Sequence, residues 1–353
     1  MSDQDLVVET VRDILTGYPP FILTPERPWD DGLWGTLAEA GLTGVGLPEE
    51  SGGSGGELAD AVAIVRTLAA GAAAVPVAEQ LLVAGPAVVA ADLALPPMEE
   101  PLTFALGPAV TAHASDDGDG PGRFTLSGTV ADVAWSGAAK HLVVLAAGVA
   151  GPVLALVDVS ALETTSAANL AGEPRGSLVL DDVPATGALL TSARVEELKA
   201  RYALARSVQL AAALEQVLAW TVQYAGERVQ FGRPLGKFQA IQMELAEMAG
   251  EVTAVTALTD AAVQAVERGS DFVLACAAAK VRAGAAVEVV ARLAHQVHGA
   301  IGFTQEHKLH HLTKRLWAWR DEAGSELAWS RVLGAGVLAE GADGLWPVLT
   351  RVV

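Results

Sequence analysis

Beyond Arg194, apolar residues return at steps of three and four over three successive stretches, which restricts this part of the chain to long amphipathic helices. Leu204, Val208, Ala211, Leu214, Leu218 and Val222 make the first stripe; Ile241, Leu245, Met248, Val252 and Val255 the second; Val281, Ala285, Val289, Leu293 and Val297 the third. Each spacing follows the 3.6-residue turn, so each helix carries one apolar face that has to be covered. With a shorter run from Leu327 to Leu338, the three are expected to close a four-helix bundle.

Upstream the period changes. FTLSGTV, HLVVLAA, PVLALVDV and SLVLDDV are short β-branched or apolar runs, separated by DDGDGPG, AAGVAGP and AGEPRG. This is strand and turn patterning, and it predicts a β domain of four or more strands. The first hundred or so residues read as helices joined by glycine loops. Leu33, Trp34 and Leu37 share a helical face, and Gly41 before Leu42 is a helix stop. The glycines at 52, 53, 55 and 56 lack a following phosphate-loop lysine, so they read as an ordinary connection. The expected class is mainly α with a middle β domain: an N-terminal helical domain over 1–101, a β-barrel or sandwich over 102–190, and the C-terminal bundle over 191–353.

Composition narrows the function classes. The chain has 353 residues, enough for two or three cores, and a formal net charge of -19. That field repels nucleic acid and anionic membranes, so neither is an expected partner, and an anionic ligand needs a local cationic site. A single cysteine, Cys276, leaves no internal disulfide and fits a reducing cytoplasm. No basic stretch followed by an apolar core opens the sequence. The apolar stretch from Val75 to Pro97 is interrupted by Pro76, Glu79, Gln80, Pro86 and Asp92, which argues against membrane insertion.

Two segments carry a family resemblance. ERVQFGRPLGKFQAIQMELAEM, residues 227–248, resembles the acyl-CoA dehydrogenase segment in which an Arg is followed by Phe-Gly, a Phe-Gln or His-Gln pair and Leu-Ala-Glu/Asp-Met. HQVHGAIGFTQEH, residues 295–307, resembles the same family's Gln-x-x-Gly-Gly-x-Gly-aromatic loop. GLTGVGLPEESGGSGG and GEPRGSLVLDDVPA extend the likeness over nearly the whole chain. The resemblance implies FAD as cofactor. Arg228 and Gln230 suit its pyrophosphate, Phe231 and Phe238 its rings, and Gln239 offers donors and acceptors. Gln296, Val297, Gly299 and Ala300 are expected to approach the same dinucleotide, glycine permitting close backbone approach. In the family the Arg segment completes a neighbour's cofactor site, which implies a homo- or hetero-oligomer, a dimer or an α2β2 tetramer. An acyl-CoA substrate and an electron-transfer flavoprotein as acceptor are implied in the same way.

The family's base, the Glu of Tyr-Glu-Gly-Thr-x-Glu, has two counterparts in WRDEAGSEL, residues 319–327. Alignment on the glutamates makes Glu322 the base and keeps its four-residue separation from Glu326; alignment on Gly324 puts Ala323 there, and Asp321 is a further carboxylate. RYALAR at 201–206, where other branches carry the base, has no carboxylate. The usual Trp-Ile-Thr-Asn run appears as VAWSGAA, with Trp135 and Ser136 as partial replacements. FALGPAVTAHASDDGDG has only scattered likeness to the family's middle-domain loop. Such departures fit a subunit that shares its site with a second chain. His295, His298, His307, His310 and His311 lack an accompanying Glu-x-x-His pair and read as a helix-face cluster, with no metal expected.

Overall fold

A computed structural model describes residues 3–351 except 21, 116–121 and 270. Most of the DDGDGPG turn therefore lies outside the described residues. The order is helical, then β, then helical. The first helices are α1 (Asp3–Thr16), α2 (Asp31–Glu39) and α3 (Leu58–Ala70), followed by α4 (Val77–Glu79) and α5 (Gly85–Ala90), joined by a π-turn over Gln80–Ala84. Asp30 caps α2 by accepting from the Leu33 amide at 3.1 Å, and Gly41 leaves it at φ 72. Leu33, Trp34 and Leu37 are buried, as their spacing requires. The glycine loop after Pro48 folds back on Leu47, whose carbonyl accepts from Gly55 at 2.8 Å. It is a packed connection.

Five strands, β1 (Leu102–Ala114), β2 (Gly122–Ala134), β3 (His141–Gly148), β4 (Gly151–Asp158) and β5 (Arg175–Leu189), close a barrel in the order β1-β2-β5-β4-β3. All neighbours are antiparallel except β1 and β3. Val110, Leu126, Val130, Val144, Val153, Leu178 and Leu180 fill the interior. Closure removes the open strand edges that would otherwise invite pairing with another chain. Gly128, at φ +131, sits where a Cβ would lie 2.2 Å from the Ala109 carbonyl, so the register shift beside it admits only glycine.

From Ser192 the chain is helical again: α6 (Ser192–Glu227), a two-stranded hairpin of β6 (Val229–Gln230) and β7 (Arg233–Pro234), then α7 (Gln239–Glu267), α8 (Val273–His298), α9 (Leu309–Asp321) and α10 (Glu326–Arg351). A non-helical residue, Gly341, interrupts α10. The expected stripes are buried in part: Leu204, Val208, Ala211 and Leu214 in α6, Met248, Val252 and Val255 in α7, and Leu293 and Val297 in α8 lie inside, whereas Val222 and Ala285 are exposed and Leu218, Ile241, Leu245, Val281 and Val289 are half-buried. Each buried Leu or Val contributes about 1.5–3 kcal/mol. The buried face of α8 runs instead through Ala279, Ala283, Ala286, Val287 and Val290, and its alanines let neighbouring helices approach closely. Packing groups residues 1–65 and 73–202 in one compact unit and 66–72 and 203–353 in another. Within the second, Arg66 pairs with Asp260 at 2.5 Å, and Arg282 pairs with Glu251.

Candidate functional site

The hairpin after α6 is built by its turn residues. Phe231 and Gly232, at φ 51 and 80, are both left-handed, the requirement of a two-residue turn that matches strand twist. The turn lifts Phe231 almost wholly into solvent, 91% exposed. Its ring meets Phe238 edge-on at 6.2 Å, and the Arg233 guanidinium lies 4.2 Å over the Phe238 ring. Arg228, Gln230 and Gln239 are exposed around this aromatic pair. The hairpin thus presents a large apolar ring at its tip, beside the half-buried Phe238.

The second block lies at the C-terminal end of α8. Gln296, Gly299 and Ala300 are exposed, whereas the Val297 side chain is buried. Gly299 ends the helix at φ 64 and leads into a 3-10 turn to Phe303, which stacks on His295 at 4.3 Å. Tyr224 joins the two blocks. It lies one turn before Arg228, donates its hydroxyl to the His298 carbonyl at 3.3 Å and stacks on the His298 ring at 4.5 Å. The Arg228 hairpin and the Gln296–Ala300 segment therefore share one end of the helical unit. Tyr224 was legible only as an aromatic four residues before an arginine; nothing marked it as the junction.

His298, buried at 3% exposure, donates Nδ1–H to the Ala294 carbonyl at 2.7 Å. Burial lowers the pKa values of His295, His298 and His307, and takes that of His311 down to about 4, with His310, Arg315 and Lys314 adding to the shift. Between pH 6.5 and 4 the unfolded chain binds more protons than the folded one, so stability is lost as pH falls through that window. Urea unfolding at pH 7 and pH 5 should show it. Partial exposure of His311 to solvent keeps its own share to on the order of 1 kcal/mol, and His311→Gln should flatten the slope. Among the described residues, no group of three or more His, Cys, Asp or Glu side chains could hold a metal.

Glu322 begins the turn after α9. Its Oε2 lies 2.8 Å from Arg206 Nε, the two side chains being 15% and 1% exposed. Arg206 Nη1 also donates to Gln209 Oε1 at 2.6 Å. Ala323 and Gly324 follow in left-handed conformation, at φ 56 and 95. Trp329 Nε1 donates to the Ala323 carbonyl at 2.7 Å. Asp321 is exposed, and Glu326 forms a two-pronged pair with Arg320 at 2.6 and 3.0 Å. Arg206 and Lys280, like Tyr224, are residues that sequence reasoning missed. Their one signal was a charge at a core position of an otherwise apolar helix. Burial takes the Lys280 ammonium down to about 8, against the opposing pull of Glu326.

In the other unit, Trp135 is buried at φ 57, and its Nε1 donates to the buried Glu79 carboxylate at 3.1 Å. Ser136 Oγ accepts from the Gly176 amide at 2.8 Å. Tyr202 packs edge-on against Phe104 at 5.3 Å, while Glu196 and Glu197 make exposed pairs with Lys199 and Arg194.

Family models for the acyl-CoA dehydrogenase N-terminal and C-terminal domains match residues 2–91 and 200–326. The chain belongs to the acyl-CoA dehydrogenase family. It is 33% identical over 322 residues to acyl-CoA dehydrogenase IpdE2 of Mycobacterium tuberculosis, covering 89% of this chain and 91% of that protein. Among solved structures, the Tcur3481-Tcur3483 steroid ACAD is 29% identical with a TM-score of 0.83, over 97% of this chain and 99% of that one. The ChsE4-ChsE5 complex from Mycobacterium tuberculosis is 25% identical with a TM-score of 0.83, over 96% and 98%. This acyl-CoA dehydrogenase is an oxidoreductase of the flavoprotein class, and its cofactor is FAD. The donor set fits that group: a guanidinium for the pyrophosphate at Arg228, amides at Gln230, Gln239 and Gln296, and an exposed aromatic at Phe231. Among the described residues no helix is long and apolar enough to cross a membrane.

Proposed function

We propose that the chain dehydrogenates an acyl-CoA thioester at its α,β bond, with Glu322 as the base. The observation that supports this most directly is the Tyr224–His298 junction, which sets the Arg228 hairpin beside the Gln296–Ala300 segment. FAD, when bound, supplies the acceptor for the β-hydrogen, which leaves as hydride. Everything else falls to the chain. Arg228 and Gln230 hold the pyrophosphate, Phe231 and Phe238 cover ring faces, and the main chain at Gly299 and Ala300 makes the close approach. Glu322 takes the α-proton. The Arg206 guanidinium at 2.8 Å favours the ionised carboxylate, the form able to accept it. As charge develops on the thioester oxygen, a hydrogen-bond donor has to meet it in a site closed to water.

The exposed Phe231, Met243 and Phe303 of the helical unit favour association, as a homo-oligomer or with a second chain; an electron-transfer flavoprotein as the reoxidant follows from the family resemblance alone. The relatives described as complexes support the heteromeric form. The Arg206–Glu322 pair favours a second reading as well: a carboxylate that must first release a guanidinium is a weaker base, and a silent subunit would lend Arg228 and Phe231 to a partner's flavin. Purification with and without the co-expressed partner separates the two. A yellow complex that bleaches on anaerobic addition of acyl-CoA, and stops bleaching when Glu322 is neutralised, supports the first. A chain that stays monomeric while holding FAD tightly contradicts both.

A further inference from the structure

Lys280 stands in the middle of α8 with its side chain fully buried, among Ala277, Ala279, Ala283 and Gly284. A buried ammonium is costly unless its hydrogens are paired, and a Met in its place would fill similar volume without that cost. What the ammonium adds is N–H donors, two of which find carbonyl partners. Nζ reaches the Arg320 carbonyl at 2.5 Å and the Gly324 carbonyl at 2.8 Å. The first of these belongs to the last turn of α9, where carbonyls have no helical partner; the second lies beyond Glu322. Lys280 therefore ties together the two ends of the segment that carries Glu322.

Other contacts close the same segment. The Ala323 carbonyl between these two accepts from Trp329. One turn along α8, Gly284 lies where a Cβ would meet Glu326 at 2.6 Å, so Glu326 rests directly on the α8 backbone while it grips Arg320. Ala323, at φ 56, holds a left-handed conformation that a residue with a Cβ keeps only where its surroundings impose it. The charged groups facing the ammonium are Glu326 from α10, Arg206 from α6, and Asp321 and Glu322 from the segment itself. Glu326 and Glu322 are themselves paired with Arg320 and Arg206, so the carboxylates only partly offset the cost of burying the ammonium, and its two carbonyl contacts carry the tie.

We propose that Lys280 is a positioning residue for the dehydrogenation: by binding the Arg320 and Gly324 carbonyls it fixes the direction in which Glu322 leaves its turn. The proposal rests on the reading of Glu322 as the base. Its test uses Lys280→Met in the complete, FAD-loaded assembly with the natural partner, read in two ways. Amide hydrogen exchange over residues 321–325 should rise at least about tenfold, because the turn opens locally without its tie. The limiting rate of anaerobic flavin reduction by acyl-CoA should fall roughly tenfold to a hundredfold, the penalty of misplacing a reacting group by about 1 Å. FAD content and the half-saturating acyl-CoA concentration should stay near wild type, a split that general loosening of the fold would not give.

Wild-type exchange in Lys280→Met overturns the tie, and a wild-type reduction rate with a loosened turn overturns its role in positioning. Should that variant not fold, Lys280→Gln, which keeps a donor on a shorter arm, is measured in the same way and read by the same outcomes. Glu322→Gln separates the proposal from the reading beneath it. Fast reduction in that variant removes Glu322 as base, whereas exchange in the Lys280 variant reports on the tie alone.

Discussion

Glu322→Gln, assayed in the complete assembly, is expected to keep its FAD and to lose flavin bleaching by acyl-CoA, with the reduction rate down about a hundredfold to ten-thousandfold. The substitution keeps size and most of the hydrogen-bonding shape but removes the group that accepts the α-proton. Its ion pair with Arg206, at 2.8 Å, becomes at best a neutral contact, so Arg206 is left buried with less compensation and some loss of stability should accompany the loss of rate. Stopped-flow absorbance measures the rate and thermal unfolding the stability. A solvated surface carboxylate would tolerate the change in both. Reduction at the wild-type rate would therefore refute the assignment, leaving Asp321 or a carboxylate of the partner chain as the base.

Arg228→Ala is expected to weaken FAD retention about tenfold to a hundredfold, since a charge-assisted contact to phosphate contributes roughly 1.5–3 kcal/mol. The chain's net charge of -19 makes this cation more valuable, because an anionic dinucleotide has to be held against the field of the rest of the molecule. Arg233 and Lys237 stand nearby, but Arg233 already lies over the Phe238 ring. Flavin content after extensive dialysis is the measurement, and it should be made at more than one ionic strength, since added salt screens both effects. Full flavin content in the variant would exclude Arg228 from the cofactor site.

Much of the architecture was legible in the sequence because it depends on periodicity. Leu204, Val208 and Ala211 return at helical spacing and are buried on one face of α6; FTLSGTV alternates and HLVVLAA is a short apolar run bounded by turn residues, and they become β2 and β3. The four expected strand runs left out β1, whose FALGPAVTAHA holds a glycine and a proline at the register shift between Leu106 and Thr111. A local irregularity of that kind breaks the alternation that signals a strand. Nor did the bundle's periodicity separate α9 from its neighbours.

The site divides in the same way. Phe231-Gly232 lies within the resembling segment, and Gly232 suits the left-handed second position of the turn, whereas Phe231 at φ 51 is there against local preference, so the hairpin and its exposed tip emerged only in the structure. Which residues meet across distance was decided only by the tertiary structure. Arg206 with Glu322, Lys280 with the Arg320 and Gly324 carbonyls, and Tyr224 with His298 are separated in sequence by between about 40 and 116 positions. No local pattern encodes such pairs, since a charged residue on an apolar helix face reads the same whether it reaches solvent or a buried partner. The physical reason is burial: only once α6, α8 and the end of α9 are packed does the cost of an unpaired charge select its partner.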